Sequence, residues 1–205
     1  MRSTKPSSSS IKPGDLLAGQ LILAAIAVVT IYWFDTPVPI PVIGNLNALC
    51  LGVAFAGLSF LLIIVGLNGP KWLAKPLQQQ VQFVYPIVAE FNALRLTALA
   101  LAAGVSEELL FRVALQYWSV EWFGTLLGVL AIALLFALLH CMSWTYVATT
   151  FVIGLALGSA YAYWQSIALV VSWHFCYDLL ALFALRYFPE KLGLDIKGFQ
   201  ETANQ

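Results

Sequence analysis

Six long apolar runs, separated by short polar segments, are the main pattern of this chain. A helix needs roughly 17–25 mainly apolar residues to cross the hydrocarbon core of a bilayer. Each run is long enough, and a helix satisfies its own backbone hydrogen bonds in lipid. We therefore predict an all-α protein, a polytopic transmembrane helix bundle of about six spans. The predicted spans are residues 16–34, 46–67, 94–120, 123–140, 144–164 and 166–187.

The segment between spans 2 and 3, residues 68–92, has a different pattern. It is richer in polar residues and prolines, and its apolar residues Leu77, Val81, Val84 and Val88 recur at roughly helical spacing. Such a pattern indicates an amphipathic helix that lies along the membrane surface. A plain linker between the two spans is an equally good interpretation.

The termini and the basic residues suggest a single transmembrane domain with a fixed orientation. We predict a disordered cytoplasmic tail at 1–15, a transmembrane domain at 16–187 with a motif-bearing core at 94–187, and a polar C-terminal tail at 188–205. Basic residues cluster before span 1, between spans 2 and 3, and after span 6. By the positive-inside rule both termini should be cytoplasmic. We expect the membrane to be a bacterial-type inner membrane.

Composition agrees with membrane insertion and narrows the partners. The chain is 61% hydrophobic and 10% charged, whereas a soluble domain has about 25% charged residues. The formal net charge is zero, so the bilayer is an expected partner and nucleic acid is not. The three cysteines, Cys50, Cys141 and Cys176, have no metal-binding or redox spacing, and we interpret them as small buried apolar residues.

Three charged residues stand inside the third apolar run: Glu107, Glu108 and Arg112. Charge inside a membrane span is costly and usually marks a functional site. Residues four apart share a helix face, so Glu108 and Arg112 should form a structural ion pair. Glu107 points elsewhere and is predicted to face the chemistry. The alternative is a polar cluster that only holds helices together.

The only two histidines of the chain also lie in apolar runs. His174 is followed four residues later by Asp178, whose carboxylate could hold the imidazole in one tautomer. Phe136 precedes His140 by one turn and could cover the same face. Because each polar group needs polar company, we expect them to surround one hydrated cavity with Glu107. A count at 1.5 Å per residue, however, places His140 roughly 10 Å nearer the cytoplasmic face than the others.

Three motifs, Glu-Glu-x-x-x-Arg, Phe-x-x-x-His and His-x-x-x-Asp, follow one another on successive predicted spans. In this order they resemble the CAAX-protease and bacteriocin-processing family of intramembrane endopeptidases, also called the Abi family. Val113 stands where family members commonly have Gly. Asp178 stands where the prenyl-protein proteases usually have Asn, which argues against a prenylated CAAX protein as the substrate. The matching residues are Glu107, Glu108, Arg112, Phe136, His140, His174 and Asp178.

The resemblance implies an endopeptidase acting on a membrane-associated or lipid-modified protein or peptide. Glu107 would act as general base on a water held by His140, and His174 would donate to the developing oxyanion. Asp178 would orient His174, while Glu108, Arg112 and Phe136 would support the site. No cofactor is expected, although zinc bound by Glu107, His140 and His174 is a possible alternative.

Three other functions fit the same residues. A non-catalytic membrane protein could bind a bacteriocin or toxin and confer immunity. A proton-coupled carrier could use the buried carboxylates and histidines as a relay. A scaffold could use them only to specify helix packing. The response to substitution of Glu107 distinguishes these functions from a protease.

Overall fold

The computed structural model describes residues 13–194, and all regular structure in that range is helical. Of the predicted tails at 1–15 and 188–205, residues 1–12 and 195–205 lie outside the described residues. The all-α class is confirmed. The α-helices are α1 Pro13–Trp33, α2 Asn45–Leu67, α3 Lys71–Val88, α4 Ala93–Glu108, α5 Tyr117–Leu139, α6 Trp144–Trp164 and α7 Ile167–Tyr187, with a π-helix at Leu109–Gln116 between α4 and α5 and a 3-10 helix at Pro189–Leu192.

Five helices of the described region are long and apolar enough to cross a membrane, compared with the six spans predicted. The difference arises because one of the five runs for 47 residues, from α4 to the end of α5. At Gly124 its backbone leaves helical geometry, with φ 77° and ψ 165°. The chain turns back there, and a Cβ on Gly128 would lie only 2.7 Å from Val120 Cα. The long run therefore forms two antiparallel legs, which are the third and fourth predicted spans.

The segment between α2 and the motif-bearing helices is the amphipathic helix α3. Its apolar face is buried at Ala74, Leu77 and Val88, while Trp72 on the other side is exposed. Two prolines, Pro76 and Pro86, lie inside the helix. A helix was one of the two interpretations of this segment, and the linker interpretation is wrong. That the helix lies along the membrane surface stays a prediction.

Large apolar side chains cover the outside of the bundle, for example Leu21 on α1 and Leu61 on α2. Such a surface suits lipid, in which an apolar residue needs no burial against protein. The same reasoning corrects the prediction for the cysteines. Cys50 and Cys141 are exposed, and Cys176 is only partly buried.

Close contacts between helices fix the position of the charged residues. Gly104 lets α4 approach α7, since a Cβ there would lie 3.0 Å from Phe175 N. Gly154 and Gly158 likewise bring α6 close to α5 and to the π-helix. Small residues at such crossings are the usual means of tight packing in membranes. Glu107 and Glu108 at the end of α4 are thus enclosed by α1, α5, α6 and α7.

The first residues after α7 also pack against the bundle. The 3-10 helix Pro189–Leu192 ends at Gly193, and Leu192 and Leu194 are buried. They join an apolar cluster with Leu67, Val88 and Leu185 at the ends of α2, α3 and α7. This cluster closes the end of the bundle at which the chain enters α4.

Candidate active site

Glu108 lies at the centre of the polar cluster and uses both carboxylate oxygens. Its Oε2 pairs with Arg112 Nε at 2.9 Å, and both side chains are fully buried. The ion pair predicted from the four-residue spacing is therefore present. Its Oε1 lies 2.8 Å from His174 Nδ1. This second contact joins α4 to α7 and has no counterpart in the sequence spacing.

Glu107, the neighbouring acid, points to a different side of the helix. Its Oε1 accepts a hydrogen bond of 2.9 Å from Gln20 Nε2 on α1. Its Oε2 is buried and makes no hydrogen bond with the described residues. That oxygen lies 3.5 Å from His140 Nε2 and 3.9 Å from His174 Nε2. The carboxylate thus has one oxygen held and one oxygen directed at both imidazoles.

His140 follows the last residue of α5 and is held at one ring nitrogen. Its Nδ1 lies 2.8 Å from the backbone oxygen of Phe136. Because a carbonyl oxygen only accepts, Nδ1 carries the hydrogen and Nε2 faces Glu107. The ring centroid of Phe136 lies 4.5 Å from that of the His140 imidazole. The Tyr146 ring stacks on the same imidazole, with 6.4 Å between centroids.

His174 is held in the same tautomer, but by a carboxylate. The Nδ1 contact with Glu108 means that this nitrogen also donates. Nε2 lies 3.4 Å from Asp178 Oδ2. The spacing suggested that Asp178 fixes the tautomer of His174. The shorter contact is made by Glu108 at the other nitrogen, so Glu108 has that role, and Asp178 faces the nitrogen directed at the site.

A cavity of about 150 Å³ joins these groups and is lined by Glu107, His140, His174 and Asp178 together with Tyr146 and Tyr177. A second cavity of about 320 Å³ borders Glu107 and Asp178 as well, and is otherwise mainly apolar. The predicted acid and two imidazoles therefore converge on one space within the bundle. The second cavity extends from this space between α1, α2, α3 and α7.

The convergence corrects the estimate that His140 lies roughly 10 Å nearer one face. That estimate measured its depth from the start of the fourth span. In the structure, the contact of Gly128 with Val120 sets the register of the two legs. His140 lies twelve residues after Gly128, and Glu108 lies twelve residues before Val120. Because the two legs are antiparallel, His140 and Glu108 therefore lie at the same level.

The region that carries these groups matches a family model. Residues 89–180 match the family model described as Type II CAAX prenyl endopeptidase Rce1-like. The family resemblance is confirmed. The match covers all three motifs and a little under half of the chain. Comparison with curated proteins and with solved structures gave no significant match.

The match to this family model supports an intramembrane protease in general and an integral membrane protein. It also agrees with the five apolar helices of the described region. The family match begins at residue 89, so α1, α2 and α3 lie outside it. Contacts made to the site by those helices are features of this chain that the match does not describe.

The resemblance allows zinc as a bound metal, and Glu107, His140 and His174 are then the expected ligands. Among residues 13–194, no three His, Cys, Asp or Glu side chains are arranged so that they could hold one metal ion. Zinc binding by Glu107, His140 and His174 stays a prediction from the resemblance. No step of the mechanism below involves a metal.

Sequence reasoning missed two side chains of the site and one element. Gln20 contacts Glu107, and its signal was an amide inside an otherwise apolar run. Tyr146 stacks on His140, and nothing distinguished it from other aromatic residues near span ends. The π-helix Leu109–Gln116 carries Arg112 and Gln116. Such wide turns occur often at functional sites but have no clear sequence signal.

Proposed function

We propose that this protein is an intramembrane endopeptidase that cleaves a membrane-associated or lipid-modified protein with a water activated by Glu107. The observation that carries the proposal is Oε2 of Glu107. It is buried, free of hydrogen bonds to the described residues, and directed at the Nε2 atoms of His140 and His174. A general base must lie within hydrogen-bond reach of the proton that it removes. A water between Oε2 and the two imidazoles would lie within that reach.

In the first step Glu107 removes a proton from the attacking water. His140 presents an Nε2 lone pair, because its hydrogen is on Nδ1. This lone pair accepts a hydrogen bond from the other hydrogen of the same water. The hydroxide equivalent adds to the carbonyl carbon of the scissile bond. Glu107 then carries the proton and passes it to the amide nitrogen as the carbon–nitrogen bond breaks. One water is consumed, and the carboxylate is restored.

His174 stabilises the negative charge on the carbonyl oxygen in this scheme. Its Nδ1 hydrogen is bound to Glu108, so a donor at Nε2 requires the doubly protonated ring. Two carboxylates, Glu108 and Asp178, lie at its two nitrogens and stabilise that cation. Asp178 thus supports the charge of His174. It does not itself donate to the oxyanion unless it is protonated.

The larger cavity supports a substrate with an apolar portion. It borders Glu107, and Leu16, Phe60, Ile64 and Leu182 are among its apolar lining residues. An apolar chain bound there would place the adjoining peptide next to the base. The cavity favours a membrane-embedded or lipid-modified substrate over a soluble peptide.

The direct test is cleavage by the full chain in liposomes. The probes are an internally quenched farnesylated Cys-a-a-X peptide, its non-prenylated twin and a quenched apolar transmembrane peptide. Glu107→Gln should lower the cleavage rate of the accepted probe by about 10²–10⁴-fold, since general-base catalysis contributes about that much. A rate unchanged in Glu107→Gln would contradict the proposal.

The same variants separate the other functions. A toxin-binding immunity protein predicts that Glu107→Ala still protects cells, with no peptide cleaved by the wild type. A proton-coupled carrier predicts that Glu107→Gln stops uptake into vesicles. The protease predicts loss of cleavage in both variants.

Metal analysis completes the test. We propose metal-free hydrolysis, so the purified protein should be active without stoichiometric zinc and should keep its activity in a chelator. Both histidines are held at Nδ1, which is also how metal-binding histidines are oriented. Stoichiometric zinc, with activity lost to a chelator and restored by metal, would overturn the metal-free scheme.

A further inference from the structure

A glutamine on the first helix contacts the proposed general base. Gln20 is the only amide in the apolar part of α1, and a polar side chain within such a run needs a partner. Its Nε2 donates to Glu107 Oε1 at 2.9 Å, and its Oε1 accepts from Ser106 Oγ at 2.5 Å. One amide therefore spans two consecutive residues at the end of α4. Both partners are buried.

We propose that Gln20 is a positioning residue, which holds Oε1 of Glu107 so that Oε2 is the oxygen that takes the proton. This inference rests on the proposed protease function and extends it to a helix outside the family match. The two oxygens of a free carboxylate are equivalent. A hydrogen bond to one of them makes the other the oxygen that accepts the proton. Gln20 makes the only hydrogen bond to Oε1 among the described residues, and Oε2 is left facing both imidazoles.

The three side chains can also follow the change of protonation during the reaction. An ionised Glu107 only accepts, so it requires the NH2 side of the Gln20 amide. When Oε2 carries the proton, Oε1 is the carbonyl oxygen of the carboxylic acid and still accepts from the same NH2 group. The hydroxyl of Ser106 continues to donate to Gln20 Oε1. The same set of bonds thus holds the base in both states.

The competing explanation is that Gln20 only attaches α1 to the bundle. Interhelical hydrogen bonds of side chains commonly have that function in membranes. A matched control distinguishes the two, because the chain contains another partly buried hydrogen bond near α1. Trp118 Nε1 donates to Thr36 Oγ1 at 3.0 Å, just past the end of α1 and away from Glu107. Thr36→Val removes that bond with almost no change of shape.

The experiment measures kcat, KM and thermal stability in liposomes with the accepted quenched peptide of the preceding test. Gln20→Leu should lower kcat roughly 10- to 100-fold, the range expected for losing a hydrogen bond to a charged group. KM should stay within about twofold, because Gln20 does not bind the peptide. Ser106→Ala keeps the bond to Glu107 and should lower kcat only a few-fold. Thr36→Val should leave kcat unchanged.

Each outcome has a single reading. The positioning role is wrong if Gln20→Leu folds and keeps the wild-type kcat. It is also wrong if the kcat of Gln20→Leu falls no more than that of Thr36→Val at equal thermal stability. In both cases the protease function stands. If Gln20→Leu fails to fold, Ser106→Ala decides: a lower kcat at wild-type stability supports the role, and an unchanged kcat overturns it. A wild type that cleaves none of the probes removes both the proposed function and this inference.

Discussion

The polar cluster in the bundle has two halves that differ in access although they begin at adjacent residues. The closed half consists of Glu108, Arg112 and Gln116, all fully buried or nearly so. The open half consists of Glu107, His140 and Asp178, which line the cavity. Of the two histidines, His140 is 29% exposed and His174, which joins the halves, is 9% exposed. Adjacent residues on one helical turn thus lie in a structural and in a chemical environment.

The difference teaches how one stretch of sequence can serve stability and reaction together. In the closed half, the ion pair of Glu108 with Arg112 neutralises charge that lipid would not tolerate. The Arg112 guanidinium also lies 5.4 Å from the ring of Phe136, which separates it from the open half. In the open half, Oε2 of Glu107 is left available. The closed half thus pairs its two charges, whereas the open half leaves one carboxylate oxygen facing two imidazoles.

The largest expected effect comes from making the same substitution at the two adjacent acids. Glu108→Gln leaves Arg112 buried without its counter-charge, and removing one member of a buried ion pair costs about 3–5 kcal/mol of unfolding free energy. Glu107→Gln keeps the shape of the side chain and the bond from Gln20, so its cost should stay below about 1 kcal/mol. Unfolding of the two variants in the same detergent, followed by circular dichroism, measures the contrast.

A double variant sharpens this comparison. Glu108→Leu combined with Arg112→Leu should recover most of the stability, since an apolar replacement of a buried ion pair is often neutral. It should not recover cleavage, because His174 has lost the partner of its Nδ1. Equal stabilities of Glu107→Gln and Glu108→Gln would show that the division into two halves is wrong.

A smaller effect is expected from the packing around the closed half. Gly158→Ala places a Cβ 2.8 Å from Gln116 Oε1 and 3.1 Å from Val129 Cγ1. Overpacking of a tight contact costs about 1–3 kcal/mol. Gly57→Ala on α2 is the matched control, since nothing lies within 4 Å of the added carbon. Thermal unfolding should show a lower midpoint for the first variant alone, and an equal midpoint for both would mean that α6 can move away.

The smallest effect is expected in the open half, at Asp178. Asp178→Asn removes a charge near the proposed oxyanion and supplies an amide that can donate to it. It also removes one of the two carboxylates at His174. Since these changes oppose each other, the cleavage rate should change by less than about tenfold. A loss as large as that of Glu107→Gln would give Asp178 a direct part in the proton transfers.

Much of the fold and part of the site could be predicted from local spacing. Apolar run length gave the helices, and the four-residue interval gave the pair of Glu108 with Arg112. The burial of the cysteines was wrong, because exposure to lipid follows a different rule from exposure to water. The bond from Gln20 to Glu107 joins residues 87 positions apart. No periodicity along the chain reports such a contact.

The sequence by itself determined the long apolar helices and which of their residues share a helix face, because both follow from backbone geometry within one segment. Only the tertiary structure decided the level of His140 and the partner of His174 Nδ1. Those depend on how helices are placed along each other. The turn at Gly124 and the contact of Gly128 with Val120 set that register, and a shift of one helical turn, about 5.4 Å, would move His140 out of reach of Glu107.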